Sequence, residues 1–279
     1  MSGKTCLVTG ATSGIGKATA LQLAELGATV IIVARDAARG EAACEEIRRR
    51  VPLARVETMT ADLSSLAQVR LLAEQVLARH ERLDVLVNNA GIISMRRELT
   101  AEGFEKTFAT NHLGPFLLTN LLRGLLERSA PARVVTVASD AHQQVRTIEW
   151  DDLPRGAQAG DGNAYPASKL LNVLFTAELA RLLAGTGVTA NCLHPGVVRT
   201  SIGREVTGVL RAGVWLMLRF RAGPEEGAET SVYLASSPEV AEVTGRYFVK
   251  CKQAEPSALA RDTQAAARLW ALSEELSQR

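Results

Sequence analysis

The sequence predicts an α/β fold in which one parallel sheet of about seven strands lies between two layers of helices. Three observations predict this doubly wound arrangement. Short apolar runs alternate with longer amphipathic stretches along most of the 279 residues. The first run leads directly into a glycine-rich turn, as a strand does where it enters a nucleotide-binding helix. No linker, repeat or low-complexity tract divides the chain, so we expect a single domain spanning residues 1–279.

The apolar runs are predicted as strands because they are short, nearly continuous and rich in β-branched residues, as expected of parallel strands covered on both faces. In chain order they span residues 5–9, 29–34, 56–60, 85–88, 133–139 and 188–193. Apolar residues recur between them at the spacing of one helix face. The helices predicted on this basis span residues 15–26, 37–50, 66–80, 101–126 and 165–184.

Composition and charge exclude several classes of function. Hydrophobic residues make up 47% of the chain and charged residues 22%, which is ordinary for a soluble globular protein. The net charge of +2 comes without a clustered basic face, so we expect no nucleic-acid partner. No apolar stretch approaches the ~18 residues of a transmembrane segment, and glycine interrupts the N-terminal run too early for a signal peptide.

The cysteines and histidines show no ligand spacing. Cys6, Cys44, Cys192 and Cys251 are far apart and never form a C-x-x-C pair, which argues against a disulfide framework or a zinc site. We therefore expect no metal and a reducing compartment, the cytoplasm.

The turn after the first run is a candidate binding site for a dinucleotide. Glycines let the backbone approach a pyrophosphate, and free N–H groups at the start of a helix attract anions. The spacing is G-x-x-x-G-x-G, and Ala18 after Gly16-Lys17 excludes a P-loop. An ordinary glycine-rich turn is the alternative interpretation. The candidate residues are Gly10, Thr12, Ser13, Gly14, Ile15 and Gly16.

The end of the second strand distinguishes the two nicotinamide dinucleotides. An acidic residue there would bind the adenosine ribose and repel a 2′-phosphate. This chain has Ala34 followed by Arg35, whose guanidinium can bind a phosphate through paired hydrogen bonds. We therefore predict NADP(H) in preference to NAD(H). Asp36 offers an alternative, because an ion pair with Arg35 would leave the phosphate without its partner.

Tyr165 and Lys169 are four residues apart near the start of a predicted helix, and hence on one face. A fixed positive charge lowers the pKa of a nearby phenol from its usual value of about 10. Such a tyrosine can donate and accept a proton near neutral pH. Spacing alone leaves the alternative open that both side chains lie on a solvated face.

Further motifs complete a familiar pattern. In chain order they are Asp62, Asn88-Asn89-Ala90-Gly91, Asn111, Ser139 and Pro195-Gly196. With the glycine turn and Tyr165-x-x-x-Lys169, they resemble the short-chain dehydrogenase/reductases over essentially the whole chain, which implies a Rossmann-type domain. His194-Pro195-Gly196 and Arg35-Asp36 look most like the retinol dehydrogenase and reductase branch of that family.

The resemblance implies a role for each matching residue. Tyr165 would be the general acid in reduction and the general base in oxidation, with Lys169 lowering its pKa and holding the nicotinamide ribose. Ser139 would hydrogen-bond the substrate oxygen, and Asn111 would hold a helix kink and a water of the proton relay. The other residues implied to contact the cofactor are Asp62, Leu63, Asn88, Ala90, Gly91, Pro195, Gly196, Val198 and Thr200.

Each assignment has a structural alternative. Ser139 could simply end a strand, and Asn111 could simply bend a helix. His112 and His194 are interpreted as structural rather than catalytic. The family usually has a serine where this chain has Ala138, which we expect to be harmless packing.

Two long connections follow strand ends, at residues 141–163 and 201–223. The second is rich in apolar side chains from Val206 to Phe220, which favours a substrate lid and a bulky apolar aldehyde, ketone or alcohol as substrate. Members of this branch often carry an N-terminal membrane anchor, which is not seen here, so we expect a soluble protein.

Two other functions compete with carbonyl chemistry. A non-catalytic NADP(H)-binding sensor or scaffold would show a broken catalytic set, whereas the set here is whole. Enoyl reduction or dehydration would keep the fold, but serine, tyrosine and lysine together favour carbonyl chemistry. The resemblance also implies a homo-oligomer, a dimer or tetramer, formed through the helices near residues 101–126 and 165–184.

Overall fold

The computed structural model describes residues 1–94, 97–155, 164–196 and 223–278. The strands are β1 (Thr5–Thr9), β2 (Thr29–Ala34), β3 (Arg55–Thr60), β4 (Val85–Asn88), β5 (Ala132–Val137), β6 (Val188–His194), β7 (Tyr247–Val249) and β8 (Lys252–Ala254). The helices are α1 (Gly14–Glu25), α2 (Ala37–Arg50), α3 (Leu66–Arg79), α4 (Lys106–Phe108), α5 (Gly114–Arg128), α6 (Tyr165–Leu182), α7 (Pro224–Ser236) and α8 (Thr263–Ser277).

The order of the strands places a crevice at the centre of the sheet. The order is β3-β2-β1-β4-β5-β6-β7-β8, with every neighbouring pair parallel except β7 and β8. The chain runs outward from β1 to β3 and then returns to place β4 on the other side of β1. Connections from β1 and β4 therefore leave in opposite directions, and such a switch point is where open α/β sheets bind ligands.

Both faces of the sheet are buried, because successive side chains of a strand point to opposite faces. In β1, Leu7 belongs to one apolar cluster, whereas Cys6 and Val8 belong to the other. All three side chains are fully buried. Burial on both faces explains why the strands read as continuous apolar runs and confirms the predicted fold class.

The predicted sheet of about seven parallel strands is confirmed, and β8 adds an antiparallel strand at its edge. One predicted helix needs correction. The helix predicted from residue 101 begins at Lys106, because the Glu105 carboxylate caps it by accepting hydrogen bonds from the N–H groups of Thr107 and Phe108. A capping carboxylate satisfies amides that have no partner within the helix, so it marks the helix start.

The C-terminal helix α8 packs against α6. Trp270 stacks on Phe175 at a centroid distance of 5.9 Å and meets Phe116 edge-on at 4.9 Å. His112 Nε2 lies 2.9 Å from Ser273 Oγ, and burial lowers the pKa of His112 to about 3. The neutral, enclosed imidazole fits a structural role.

All four cysteines are unpaired. Among the described residues, no helix combines the length and the apolar character that crossing a bilayer requires.

Candidate active site

A cleft of about 400 Å³ opens at the carboxyl ends of β1 and β4. Its volume lies within the usual range of small-molecule sites. Sequence-predicted site residues form much of its wall. Those lining the cleft are Gly10, Thr12, Ser13, Gly14, Ile15, Gly16, Arg35, Leu63, Ala90, Gly91, Tyr165, Lys169 and Pro195.

The glycine turn is packed tightly against the loop that follows β4. Gly10 has φ +67°, and a Cβ built on it would lie 2.8 Å from Ala90 Cα. A Cβ on Gly16 would lie 2.3 Å from Asn89 Nδ2 and 2.6 Å from the Gly10 carbonyl oxygen. Positions 10 and 16 therefore require glycine, because backbone and side-chain atoms already occupy the space that a Cβ would need.

The amino end of α1 is suited to an anion. Ser13 occupies the N-cap position without a side-chain cap hydrogen bond, and no acidic residue lies in the first turn. By contrast, Asp36 caps α2 and Asp262 caps α8 through their carboxylates. Amide N–H groups at the start of α1 thus face the cleft without a capping carboxylate, which fits the pyrophosphate of a dinucleotide.

Thr9 joins the glycine turn to the loop after β4. Its hydroxyl accepts hydrogen bonds from the N–H groups of Asn89 and Ala90, both at 3.0 Å. The Asn89 side chain in turn donates to the Thr9 carbonyl at 2.8 Å. These bonds fix the floor of the cleft between β1 and β4.

Asn88 is not among the residues that line the cleft, and its implied contact with the cofactor stays a prediction. It is buried, and its Nδ2 donates to Thr119 Oγ1 on α5 at 2.9 Å. The neighbouring Asn89 lines the cleft instead. Consecutive residues at a strand end point to opposite sides, which is the signal that would have distinguished the two asparagines.

Two arginines lie at the end of the cleft beside β2. Arg35 lines the cleft as predicted, and Arg39, which the sequence interpretation missed, lines it too. Asp36 is committed to helix capping, because its Oδ1 accepts from Arg39 N at 2.8 Å. Within the described part of the chain no ion pair joins Asp36 to Arg35. Arg39 lies in the first turn of α2, the helix that follows β2 and Arg35, and a basic residue at the start of that helix is the signal that would have identified it.

Leu63 lines the cleft beyond β3, but Asp62 does not. The Asp62 carboxylate accepts hydrogen bonds from the N–H and the hydroxyl of Ser64, at 2.9 and 2.8 Å. Its main-chain N–H donates to Gln68 Oε1. Asp62 therefore shapes the turn that presents Leu63, and its contact with adenine stays a prediction.

Ser139 and Tyr165 meet through their side chains. Strand β5 ends at Val137, earlier than the predicted end at residue 139, and Ser139 opens a short 3₁₀ turn in which its Oγ accepts from Ala141 N at 3.2 Å. Tyr165 is the first residue of α6 and forms a side-chain hydrogen bond with Ser139. The two hydroxyls implied in catalysis are therefore adjacent.

Lys169 lies one turn further along α6 and is 3% exposed. Its Nζ donates to the Val137 carbonyl at 2.8 Å and lies 5.5 Å from the centre of the Tyr165 ring. A Cβ on Gly91 would lie 3.4 Å from the same nitrogen. This Tyr–Lys pair is thus buried in the cleft rather than on a solvated face.

Burial controls the titration of both groups. It raises the pKa of Tyr165, and the hydrogen bond with Ser139 lowers that pKa in part. The loss of phenolate hydration outweighs the hydrogen bond with Ser139, and the expected lowering of this pKa by Lys169 stays a prediction. Burial also lowers the pKa of Lys169 to about 8, which leaves the ammonium mostly charged at neutral pH.

Asn111 lies in a π-helical turn, Ala109–Leu113, between α4 and α5, where a helix irregularity was expected. Its Oδ1 accepts from Ile92 N at 2.8 Å, and its Nδ2 donates to Ile92 O at 3.0 Å and Ser168 Oγ at 2.9 Å. The carboxamide therefore ties α6 to the loop after β4. A π turn inside a helix is often found at a functional site.

Pro195 lines the cleft after β6, and Gly196 follows with φ +83°. Val198, Thr200 and the proposed lid at 201–223 fall outside the described residues, except for Gly223.

Comparison with known proteins identifies the family. A family model described as short chain dehydrogenase matches residues 4–208. Retinol dehydrogenase 14 of Homo sapiens is 47% identical over 290 residues, covering 98% of this chain and 86% of that protein. A crystal structure of an uncharacterised protein from Mycobacterium paratuberculosis gives a TM-score of 0.79 at 37% identity, covering 99% of this chain and 94% of that chain.

A second solved structure contains a cofactor. It is described as an NAD(P)-dependent gluconate 5-dehydrogenase from Beutenbergia cavernae with bound NADP, and it gives a TM-score of 0.72 at 30% identity. The match covers 90% of this chain and 96% of that chain. The chain therefore belongs to the short-chain dehydrogenase family, whose members are oxidoreductases that use NAD(H) or NADP(H).

Proposed function

We propose that the protein transfers hydride between NADP(H) and an apolar aldehyde or ketone, or the corresponding alcohol. The observation that carries this proposal is the hydrogen-bonded pair of Ser139 and Tyr165, with Lys169 buried one helical turn away. Tyr165 and Lys169 line the same cleft as the glycine turn. A proton carrier and a dinucleotide cradle therefore share one enclosed space.

When bound, the nicotinamide supplies or accepts the hydride. In reduction, Tyr165 Oη donates its proton to the substrate oxygen, while Ser139 Oγ holds that oxygen by a hydrogen bond. Lys169 stabilises the tyrosinate that is left and binds the nicotinamide ribose. Asn111 keeps α6 and the loop after β4 in register, so that these groups stay aligned.

The raised pKa of Tyr165 distinguishes the two directions of the reaction. A tyrosine that keeps its proton at neutral pH is ready to act as the acid of reduction. Oxidation needs the tyrosinate as base, so its rate should rise with pH until the phenol has titrated. Carbonyl reduction is therefore the direction that neutral pH favours.

NADP(H) is proposed over NAD(H) because two guanidinium groups line the adenosine end of the cleft. Arg35 follows β2 and Arg39 lies in the first turn of α2; both are exposed and line the cleft, so both can approach a 2′-phosphate. Asp36 would otherwise repel that phosphate, but it is directed to the Arg39 amide. Charge-assisted hydrogen bonds of this kind are among the stronger polar contacts in proteins.

The remaining cofactor contacts are proposed along the cleft. The glycine turn would hold the pyrophosphate, and Leu63, Ala90 and Gly91 would contact the adenosine side. Pro195 and Gly196, with Val198 and Thr200, would seat the nicotinamide.

An apolar substrate is proposed from the residues at the wall and from the relatives. Ile92 and Ile93 line the cleft together with Ala138. The segment from Val206 to Phe220 is apolar in sequence, and we propose residues 201–223 as a lid of the same single domain. The similarity to retinol dehydrogenase 14 supports a long apolar alcohol or aldehyde as the substrate.

The cysteines bear on the cell location, and the packing of α8 on α6 bears on assembly. Four unpaired cysteines support a reducing compartment such as the cytoplasm. Homo-oligomer formation stays a prediction, and α8 already covers part of the α6 surface.

Steady-state kinetics test the proposal directly. The purified chain is assayed with NADPH and with NADH against retinal, medium-chain aldehydes, steroid ketones and short polar aldehydes. We expect turnover of the apolar carbonyls, with kcat/KM at least ~10-fold higher with NADPH than with NADH. Absence of turnover with every carbonyl, and with every matching alcohol and NADP⁺, would refute the enzyme assignment.

A further inference from the structure

His142 lies three residues after Ser139, inside the short 3₁₀ turn that the serine opens. It is fully buried, although it takes no part in the reaction as proposed. Its Nδ1 lies 2.7 Å from the main-chain oxygen of Ser139. Its Nε2 accepts a hydrogen bond from the N–H of Ser257 at 3.1 Å.

These two contacts determine which ring nitrogen carries the proton. A carbonyl oxygen only accepts hydrogen bonds, so Nδ1 must carry the hydrogen that it donates to Ser139. A main-chain N–H only donates, so Nε2 must be the unprotonated nitrogen that accepts from Ser257. The two contacts therefore fix the ring in one orientation, with the hydrogen on Nδ1.

The residue between Ser139 and Ala141 is held just as firmly. Asp140 Oδ1 accepts from the Tyr247 hydroxyl at 2.6 Å, and Asp140 N donates to His194 Nδ1 at 3.3 Å. The Tyr247 ring packs edge-on against His142, with centroids 5.1 Å apart. Neighbouring strands β6 and β7 therefore hold the main chain on the carboxyl side of the serine.

We propose that His142 is a positioning residue for Ser139. By fixing the Ser139 carbonyl, the imidazole fixes the peptide plane and with it the direction in which Ser139 Oγ points towards Tyr165. The N–H of Ser257 holds the other ring nitrogen, Nε2, in place. The segment around Ser257 therefore also contributes to the geometry of catalysis. This inference rests on the proposed function, because it assigns to Ser139 a place in carbonyl chemistry.

Two substitutions separate the two hydrogen bonds of the ring. In His142→Asn the side-chain amide can reach the Nδ1 position and still donate to Ser139. In His142→Gln the amide reaches the Nε2 position and can keep only the contact with Ser257. We expect kcat for carbonyl reduction to fall about tenfold in His142→Gln and less than about threefold in His142→Asn, because small misplacements of reacting groups are costly.

Two readouts distinguish positioning from general destabilisation. KM for NADPH should stay within about twofold in both variants, because the glycine turn and Arg35 are untouched. The hydrogen bond with Ser139 lowers the pKa of Tyr165. The alkaline rise in the rate of alcohol oxidation should therefore move to higher pH in His142→Gln, and in the same direction in Ser139→Ala.

His80→Gln is the matched control. His80 is a largely buried histidine at the end of α3, with Nε2 3.2 Å from Glu57 Oε1, and lies outside the cleft. Its substitution should leave kcat and the pH profile as in the unchanged protein. Equal kcat values and unshifted pH profiles in His142→Asn and His142→Gln would overturn the inference.

A measurement on the unchanged protein covers the case in which the variants do not fold. Nitrogen-15 NMR of the histidine rings should show one ring whose Nδ1 carries the hydrogen and whose Nε2 accepts a hydrogen bond, and a His142 ring with its hydrogen on Nε2 would overturn the inference. If the unchanged protein turns over no carbonyl, the proposed function fails, whereas the NMR result still decides whether His142 holds the Ser139 carbonyl.

Discussion

The two ends of the cleft act through different electrostatics. At one end, Arg35 and Arg39 lie exposed beside β2 and α2. At the other end, Lys169 is 3% exposed and Tyr165 is largely enclosed by the protein. Charges at the exposed end interact through water and are screened by salt. At the enclosed end, the loss of hydration is the main cause of the shifts in pKa.

Because of this difference, substitutions at one end can change the affinity for the cofactor without changing proton transfer at the other end. The exposed arginines, which we propose to distinguish NADP(H) from NAD(H), would do so at little cost to folding, because their charges remain hydrated. Burying the charged lysine costs folding free energy, since burial lowers its pKa to about 8 from the ordinary value of 10.5. Functional sites commonly reduce stability in this way.

The largest expected effect comes from Tyr165→Phe. The substitution removes the hydroxyl that donates the proton but keeps the ring, so kcat should fall ~10²-fold or more. The dissociation constant for NADPH, measured by fluorescence titration, should change little, because Arg35 and the glycine turn remain.

Tyr233→Phe is the control for that loss. Tyr233 lies on α7, and its hydroxyl donates to Glu239 Oε2 at 3.0 Å, away from the cleft. Its kcat should equal that of the unchanged protein. If Tyr165→Phe kept most of its activity, the enclosed end would not be the site of proton transfer.

Lys169→Met should abolish most activity and yet stabilise the folded protein at pH 7. Burying the ammonium is unfavourable, and the shift in pKa corresponds to a few kcal/mol, of which the lost hydrogen bond to Val137 offsets a part. We expect a net gain of ~1–3 kcal/mol in the free energy of unfolding. Chemical denaturation at fixed pH measures it, and Lys252→Met, at the exposed edge strand β8, should change stability by less than ~0.5 kcal/mol.

The pH dependence of that gain has a definite sign. Below pH 8 both the folded and the unfolded protein hold the Lys169 proton, so the full cost of burial is present. Between pH 8 and 10.5 the folded protein binds fewer protons than the unfolded one, and its stability with respect to this group rises with pH. The advantage of Lys169→Met should therefore shrink across that interval, and a constant advantage would contradict the assigned cause.

The sequence predicted the exposed end of the cleft better than the enclosed end. Arg35 could be placed in the cleft from the sequence, because it directly follows the predicted strand β2 and the residue after a strand lies at the carboxyl edge of the sheet. Arg39 was missed, although it lies in the first turn of the helix predicted directly after Arg35 and Asp36. Such features depend on a few neighbouring residues, so the predicted strand and helix bounds are enough to find them.

The enclosed end depends on contacts between distant segments. Lys169 Nζ donates to Val137 O, 32 positions away, and Asn111 Nδ2 donates to Ser168 Oγ, 57 positions away. Neither they nor the burial of Lys169 can be derived from spacing. The upward effect of burial on the Tyr165 pKa could not be predicted from spacing, since the depth of burial is a property of the packed structure.

Arg35→Ala and Arg39→Ala should each raise KM for NADPH about tenfold and leave KM for NADH within about twofold. Each removes one charge-assisted contact that only the 2′-phosphate provides. Steady-state kinetics with both cofactors measure the effect. Arg49→Ala, on α2 but outside the cleft lining, is the control and should change neither value. Equal losses with NADPH and NADH would show that the arginines do not distinguish the cofactors.

The smallest expected effect is that of ionic strength on NADPH binding. Measuring NADPH binding and kcat at two ionic strengths compares the two ends of the cleft in one unmodified protein. Raising the ionic strength from ~0.05 M to ~0.5 M should weaken NADPH binding ~3–10-fold, because the exposed arginines are screened over a shorter Debye length. At saturating NADPH, kcat and the pH of the alkaline rise in alcohol oxidation should hardly move, since solvent ions do not enter the surroundings of Lys169. In the double variant Arg35→Ala, Arg39→Ala, the dependence of NADPH binding on salt should be much weaker. If salt instead changed kcat and left NADPH binding unaltered, the assignment of hydrated charge to one end and buried charge to the other would be wrong.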